Sequence, residues 1–509
     1  MGTHRHLKAL LEALKKPKWL LTVMLALSVV LAASAAHHWS PTFDEHRHLE
    51  MGQNIVDDGD FSRFDNSKMP VSALNYIGWK LAPGSALIEK PGSRTHWFMA
   101  RLPQLLWLVG TSLVVFFWTR KLLGEWPALG AAGLVAFDPN LMAHSALVTT
   151  DAPCTFFVVL TTWLFWEALE APSRKKWLIA GAIFGLAQAA KFTAVFLVPI
   201  LLLLALGHAL IRKSANAFKS IGWFSAAALL ALNLAYGFSG TFSSGKDMTL
   251  KGEAFSAVQN SSIPLPVPRP WMEGLAWVES DDTQGQVSVY IDGQLTQMGQ
   301  NDFYLRTIRW KFPLPLLLLP LIGLAGLARK RALLLPLLIP PVVLFTWFSI
   351  GFNYQLGVRY ILPIVPFLAI WAAHCRFSWI RIGLLWTFVS GLSWWPWGLS
   401  YMNLSALDRS SGWQHLADSN LDWGQGHYAI EKWKRENPYG IVGEGPMPVL
   451  PGPMLIGAND LVGLLYDPKQ DRYACLREMH QPRRTIAGHL YEFNLSVNEV
   501  MESNCWEGR

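Results

Sequence analysis

Apolar runs long enough to cross a bilayer recur along most of this chain, and no other feature constrains its fold as tightly. They lie near 19–36, 98–118, 126–143, 153–169, 177–190, 191–210, 221–238, 312–328, 332–350, 360–374 and 382–399. A helix needs about 20 apolar residues to span the hydrocarbon core, and within that core only helices and closed barrels satisfy their own backbone groups. The runs therefore predict an all-α polytopic membrane protein with about eleven transmembrane helices. The totals agree. Of 509 residues 51% are hydrophobic and 16% charged, against about 25% charged in soluble domains.

The net charge of +7 is not spread as a nucleic-acid-binding surface would be. It is gathered in short clusters between the runs: Arg120-Lys121, Arg174-Lys175-Lys176, Arg212-Lys213, Arg329-Lys330-Arg331, and Arg376 with Arg381. Counting helices puts these clusters and the basic N-terminus on one side, which the positive-inside rule assigns to the cytoplasm. Nucleic acid is therefore not an expected partner, whereas membrane lipids are. The small residues Ala33-Ser34-Ala35-Ala36 resemble a leader-cleavage site. The many runs that follow favour an uncleaved first helix. Both readings put Ser40 outside.

Three polar stretches fall on the outer side: 39–97, 239–311 and 400–509. The first two are loops of a membrane domain spanning 1–399. The third predicts a small α/β domain, with a helix near 424–436, turns at 437–453 and a strand near 485–493. Pro264, Pro266, Pro268 and Pro270 predict an extended loop without helix. Of the four cysteines, none forms a CxxC pair. Cys475 and Cys505 share the outer segment, where an oxidising environment permits a disulfide; two free thiols are the alternative.

Several outer-side charges stand out. Asp44 and Glu45 directly follow the first run, and Asp151 opens another. Each can be a general base at the interface or a helix cap. Asp138 lies nearby in Phe137-Asp138-Pro139. Lys191 and Arg359 sit at the outer ends of runs, where the inner-side charge bias does not account for them. Arg can grip a phosphate through two parallel hydrogen bonds, and Lys supplies a point charge; the alternative is snorkelling to lipid headgroups. His46 and His48 give a weak acceptor or metal signal. Two acids and two cations on one face suit a substrate with a phosphate head and an apolar tail.

The ordered stretches Phe43-Asp44-Glu45, Lys68-Met69-Pro70, Ala100-Arg101-Leu102-Pro103, Thr150-Asp151-Ala152-Pro153, Ala190-Lys191-Phe192-Thr193 and Arg359-Tyr360-Ile361-Leu362-Pro363 carry a resemblance. The chain resembles the bacterial membrane glycosyltransferases of the C superfamily (GT-C), in the branch of dolichyl-phosphate-mannose protein mannosyltransferases and aminoarabinose transferases. The resemblance implies a GT-C fold in a bacterial inner membrane, with the site and the C-terminal domain facing outward. It implies inverting transfer of a sugar from a polyprenyl-phosphate donor to an envelope protein, lipid or glycan. Asp44 is then the base, Glu45 its neighbour and Asp151 the second acid. Lys191, Arg359, Tyr360 and Lys68 contact the donor phosphate. Family members differ in metal use, so a divalent metal stays open. His46, Arg47 and His48 depart from the family pattern and point to an unusual acceptor. The segment Leu416-Ala417-Asp418-Ser419-Asn420-Leu421-Asp422-Trp423-Gly424-Gln425 resembles one found in a group of these proteins, with an expected structural or acceptor-positioning role.

Two other classes compete. A transporter or flippase of a lipid-linked substrate also places charges in a membrane, but near the midplane and in paired halves. An inactive relative that binds envelope polymer is the other. The outer-interface acids, and the absence of visible halves, favour the transferase.

Overall fold

The computed structural model describes residues 16–63, 68–83, 93–213, 220–284, 287–328, 331–403 and 408–502. The apolar runs are largely helical. Their helices are α1 (Pro17–His38), then α5 (Leu105–Leu123), α6 (Glu125–Ala136), α7 (Pro139–His144), α8 (Asp151–Glu170), α9 (Arg174–Ala190), α10 (Leu197–Arg212) and α11 (Ile221–Ala235), followed by α14 (Leu314–Leu327), α15 (Arg331–Ile350), α16 (Val365–Ala372) and α17 (Phe377–Ser393). Between α1 and α5 the first outer loop folds into α2 (Phe43–Asp58), α3 (Ala73–Lys80) and α4 (Arg94–Arg101). The second carries α12 (Arg269–Thr283), a short hairpin of β1 (Val289–Ile291) and β2 (Gln294–Thr296), and α13 (Phe303–Lys311).

Four helical stretches among the described residues are long and apolar enough to cross a membrane: Pro17–His38, Arg94–Leu123, Asp151–Glu170 and Phe192–Arg212. A fifth arises if α13 and α14, bent by 111° at their junction, count as one span. Other apolar runs give shorter helices, for local reasons. The 126–143 run breaks between α6 and α7, where Pro139 removes an amide and the Asp138 carboxylate accepts from the Leu141 amide at 2.7 Å. The 360–374 run begins as two short 3-10 turns, leaving an apolar helical stretch of only Leu362–Ala372.

One expectation is corrected in the 239–311 loop. Pro270 does not exclude helix there; it stands in the first turn of α12, where its missing amide has no helical partner to lose.

At the end of α8 opposite Asp151, two of the basic clusters pair with its acids. Lys121 meets Glu167, and Arg212 donates to Glu170 at 2.6 Å. The expected strand near 485–493 is a hairpin, β5 (Arg484–Ile486) to β6 (Leu490–Leu495), turned by Ala487 and Gly488 at positive φ. With β3 (Ile441–Gly443) and β4 (Gly452–Gly457) it forms a sheet in the order β3-β4-β6-β5, parallel only between β3 and β4. Helix α18 (His427–Glu436) lays Trp433 on this sheet, its indole donating to Glu492 at 2.5 Å. Cys475 is disulfide-bonded; Cys505 lies outside the described residues.

Candidate active site

Helix α1 delivers the chain to Thr42, which is the N-cap of α2. Thr42 and Glu45 form a reciprocal capping box, so the cap is Thr42 and not Asp44. The box buries Glu45 and leaves Asp44, one residue earlier, partly exposed beside Arg359. Glu45 is fully buried. Its carboxylate accepts from Arg101 Nε at 2.8 Å and from a terminal Arg101 nitrogen at 2.6 Å, and from the amides of Thr42 and Val148 at 2.8 Å each. Burial pushes this carboxyl up, but Arg101 and the amides outweigh burial and hold it below its ordinary range. Arg101 spends its other donors on the carbonyls of Ala36, Trp39 and Ser40. Thus α1, α2, α4 and the turn before α8 meet at one ion pair.

Asp44 lies 2.8 Å from Arg359, to which its Oδ2 is an acceptor. Arg359 sits in a 3-10 turn after Gly357, which has φ +85°. A side chain at 357 is excluded twice over: by that φ, and by Asn420 Oδ1 and Ser419 Oγ, both 2.9 Å from where a Cβ would stand. Burial works against the Arg359 charge, while Asp44 raises its pKa further above an ordinary guanidinium.

Lys191 closes α9 and donates to Asp151 at 2.5 Å. Its ammonium lies 4.4 Å from the centre of the Tyr360 ring. On the other side of Asp151, His144 Nδ1 is 3.6 Å away, and the His144 ring stands 5.8 Å from Trp423. The Arg359 guanidinium lies 4.4 Å from the Trp423 ring, closing a circuit of Asp44, Arg359, Tyr360, Lys191, Asp151, His144 and Trp423. Asp151 is buried, while the Asp44 side chain keeps 24% of its surface open. The circuit therefore presents one accessible carboxylate, beside two cations set in a mostly buried wall.

The structure brings together Asp44, Asp151, Lys191, Arg359 and Tyr360. Other expected contributors have different partners. Lys68 lies 3.3 Å from Glu50, the His46 ring packs edge-on to Trp97 at 4.7 Å, and His48 is 3.3 Å from Ser72. Among the described residues no three His, Cys, Asp or Glu side chains form a metal-holding group.

Residues 416–425 form a wall of the site. The amide of Phe43 donates to the Trp423 carbonyl at 3.1 Å, and Ser40 Oγ to that of Gly424 at 2.9 Å. Val358 N donates to Asn420 Oδ1 at 2.8 Å and Ser419 Oγ to the Leu356 carbonyl at 2.6 Å. The half-buried Asp418 carboxyl is raised by desolvation, with Arg359 opposing. One residue beyond Lys191, a mainly apolar cavity of about 400 Å³ opens between Phe192, Phe196, Leu275, Trp347 and Phe352, with Glu279 and Asp282 also in its wall. His144, Trp423 and Asn420 were not expected as site residues. The only prior signal was the 416–425 motif.

Residues 79–236 match the model of the dolichyl-phosphate-mannose-protein mannosyltransferase family. The family expected from the ordered motifs is the one whose model matches. The match includes Arg101, Asp151 and Lys191; Asp44 and Arg359 lie outside it. No curated protein matches the chain. Similar solved structures include ArnT from Cupriavidus metallidurans, apo (TM-score 0.49, 14% identity, 69% of this chain and 58% of that one) and bound to undecaprenyl phosphate (0.47, 13%, 92% and 97%). The Archaeoglobus fulgidus oligosaccharyltransferase tethered to an acceptor peptide gives 0.46 at 13% identity, over 83% of this chain. The chain spans little more than half the length of apo ArnT and of the archaeal enzyme, at 58% and 54%. The apolar helices and the family match make this an integral membrane protein.

Proposed function

We propose that the protein transfers a sugar from a polyprenyl-phosphate carrier to an acceptor at the outer face of a bacterial inner membrane, with inversion at the anomeric carbon. The observation that carries this reading is the convergence of Lys191 and Arg359, from different helical segments, on one cleft beside the accessible Asp44. Two cations at such a site suit a phosphate whose charge grows as its bond to the sugar breaks. Arg359 offers a planar fork and Lys191 a point charge. The mainly apolar cavity one residue beyond Lys191 suits a hydrocarbon tail.

In this reaction the acceptor oxygen attacks the anomeric carbon from the side opposite the phosphate. The carbon–oxygen bond to phosphate breaks, its electron pair leaves with the polyprenyl phosphate, and Asp44 takes the acceptor proton. Asp151 orients Lys191, and Glu45 with Arg101 fixes the turn that carries Asp44. In this reading residues 1–399 carry the catalytic groups and 400–509 form an outer domain that closes the cleft.

The test uses purified protein in detergent with polyprenyl-phosphate mannose and polyprenyl-phosphate aminoarabinose as donors and envelope extract as acceptor. Mass spectrometry follows sugar-free polyprenyl phosphate. The expected result is release that Arg359→Ala and Lys191→Ala abolish or strongly slow. Release absent from wild type with both donors, or equal in both variants, counts against the reading.

A further inference from the structure

Lys311 is buried with 1% of its surface exposed, and no acid lies within ion-pair distance of it among the described residues. It closes α13 at the 111° bend. Its ammonium donates to two backbone carbonyls, Asn420 at 2.7 Å and Leu399 at 2.9 Å. The bend is held from other directions too. Pro313 follows it, and the freed carbonyls of Lys311 and Phe312 accept from the side-chain amides of Asn140, at 2.8 Å, and Asn403, at 2.9 Å. Asn420 is thus gripped at its carbonyl by Lys311 while its own side chain accepts from Val358, next to Arg359.

We infer that Lys311 is a positioning residue for the donor-phosphate site: it fixes Asn420, which fixes the 356–360 turn and with it the Arg359 guanidinium. This rests on the proposed function only for the ligand, not for the strut itself. The competing explanation is charge balance. Asp138 is also buried, with Oδ2 lacking a hydrogen-bond partner, and it interacts electrostatically with Lys311. A lysine kept only to offset that carboxylate would have no consequence for Arg359.

Two substitutions separate the explanations. Lys311→Met keeps length and apolar bulk but removes the ammonium. Lys311→Met with Asp138→Asn also removes the carboxylate, so no unbalanced charge remains and the fold is protected from that cost. Hydrogen–deuterium exchange of the full-length protein in detergent reads the Val358 amide region, and binding of farnesyl phosphate reads the cation site. We expect exchange over 356–360 to rise about tenfold or more in the double variant, the order for losing a charge-assisted hydrogen bond. Farnesyl phosphate binding should weaken about tenfold, with Asp138→Asn alone leaving both readouts near wild type. Wild-type exchange over 356–360 in the double variant overturns the strut and leaves charge balance as the role of Lys311. Faster exchange with unchanged farnesyl phosphate binding overturns the link to the phosphate site. If Arg359→Ala binds farnesyl phosphate as well as wild type does, the proposed function fails instead, and the exchange result still decides the strut.

Discussion

Asp44→Asn separates the base from the cap. The variant keeps the side-chain shape and an oxygen that can accept from Arg359, now 2.8 Å away. It does not touch the helix cap, because Thr42 and Glu45 form it. The stability cost has two parts. A negative charge in the first turn of a helix contributes about 0.3–1 kcal/mol. Exchanging a charge-assisted hydrogen bond for a neutral one costs about 1 kcal/mol more. The sum, about 1–2 kcal/mol, leaves the protein folded. Loss of a positioned general base, in contrast, slows a reaction by about 10²–10⁴-fold. The assay is single-turnover release of polyprenyl phosphate, with thermal unfolding measured on the same preparation. Thr42→Ala is the control, since it weakens the cap by about 0.5–2 kcal/mol and leaves the Asp44 carboxylate in place. We expect Asp44→Asn to lose transfer at nearly wild-type stability, and Thr42→Ala to lose stability with transfer kept within a few-fold. Transfer by Asp44→Asn within a few-fold of wild type would refute the reasoning, as would equal rate losses in the two variants.

Other consequences can be measured directly. Glu45→Gln leaves Arg101 buried without its counter-charge, and a broken buried pair costs about 3–5 kcal/mol; thermal unfolding in detergent should show a large drop, and Glu45→Leu with Arg101→Met should recover much of it. Gly357→Ala should cost about 1–3 kcal/mol from its φ alone and displace Arg359, lowering donor affinity as well as stability. Burial and the neighbouring Asp422 push the Asp460 carboxyl up to about 6 from its ordinary 3.8. A raised acid stabilises the fold less as pH climbs from the unfolded value to the folded one, so Asp460→Asn should match wild type near pH 4. By pH 7 it should melt higher, by up to about 3 kcal/mol, and an unchanged difference across that window counts against the assignment. Reporter fusions after Lys121, Lys176 and Lys213 should report cytoplasm, and one at Arg509 the outside; a cytoplasmic C-terminus reverses the sidedness.

The sequence carried the cations and acids of the site, and their order, because each sits at an end of an apolar run where topology alone restricts its position. Lys191 and Arg359 are legible in this way: the basic clusters do not account for them, and the structure pairs each with an acid of the cleft, Asp151 and Asp44. The cap of α2 is a correction: the sequence offers Asp44 as a cap, whereas the box is formed by Thr42 with Glu45. What no local pattern reveals is which distant groups satisfy one another. Glu45 and Arg101 are 56 residues apart, and Ser40 meets Gly424 across 384. In isolation Glu45 reads as a second catalytic acid beside Asp44. Only its saturation by Arg101 and two amides distinguishes a positioning carboxylate from a reactive one. Lys311 is the sharper case, since a lysine just before Phe312-Pro313 at the start of an apolar run looks like an interfacial anchor. The bend of 111° turns it inward instead, where two carbonyls replace water. A comparable break divides α6 from α7 at Asp138-Pro139. The α13–α14 bend meets the 416–425 segment where Lys311 donates to the Asn420 carbonyl, and α7, beyond the other break, meets it where the His144 ring stands 5.8 Å from Trp423.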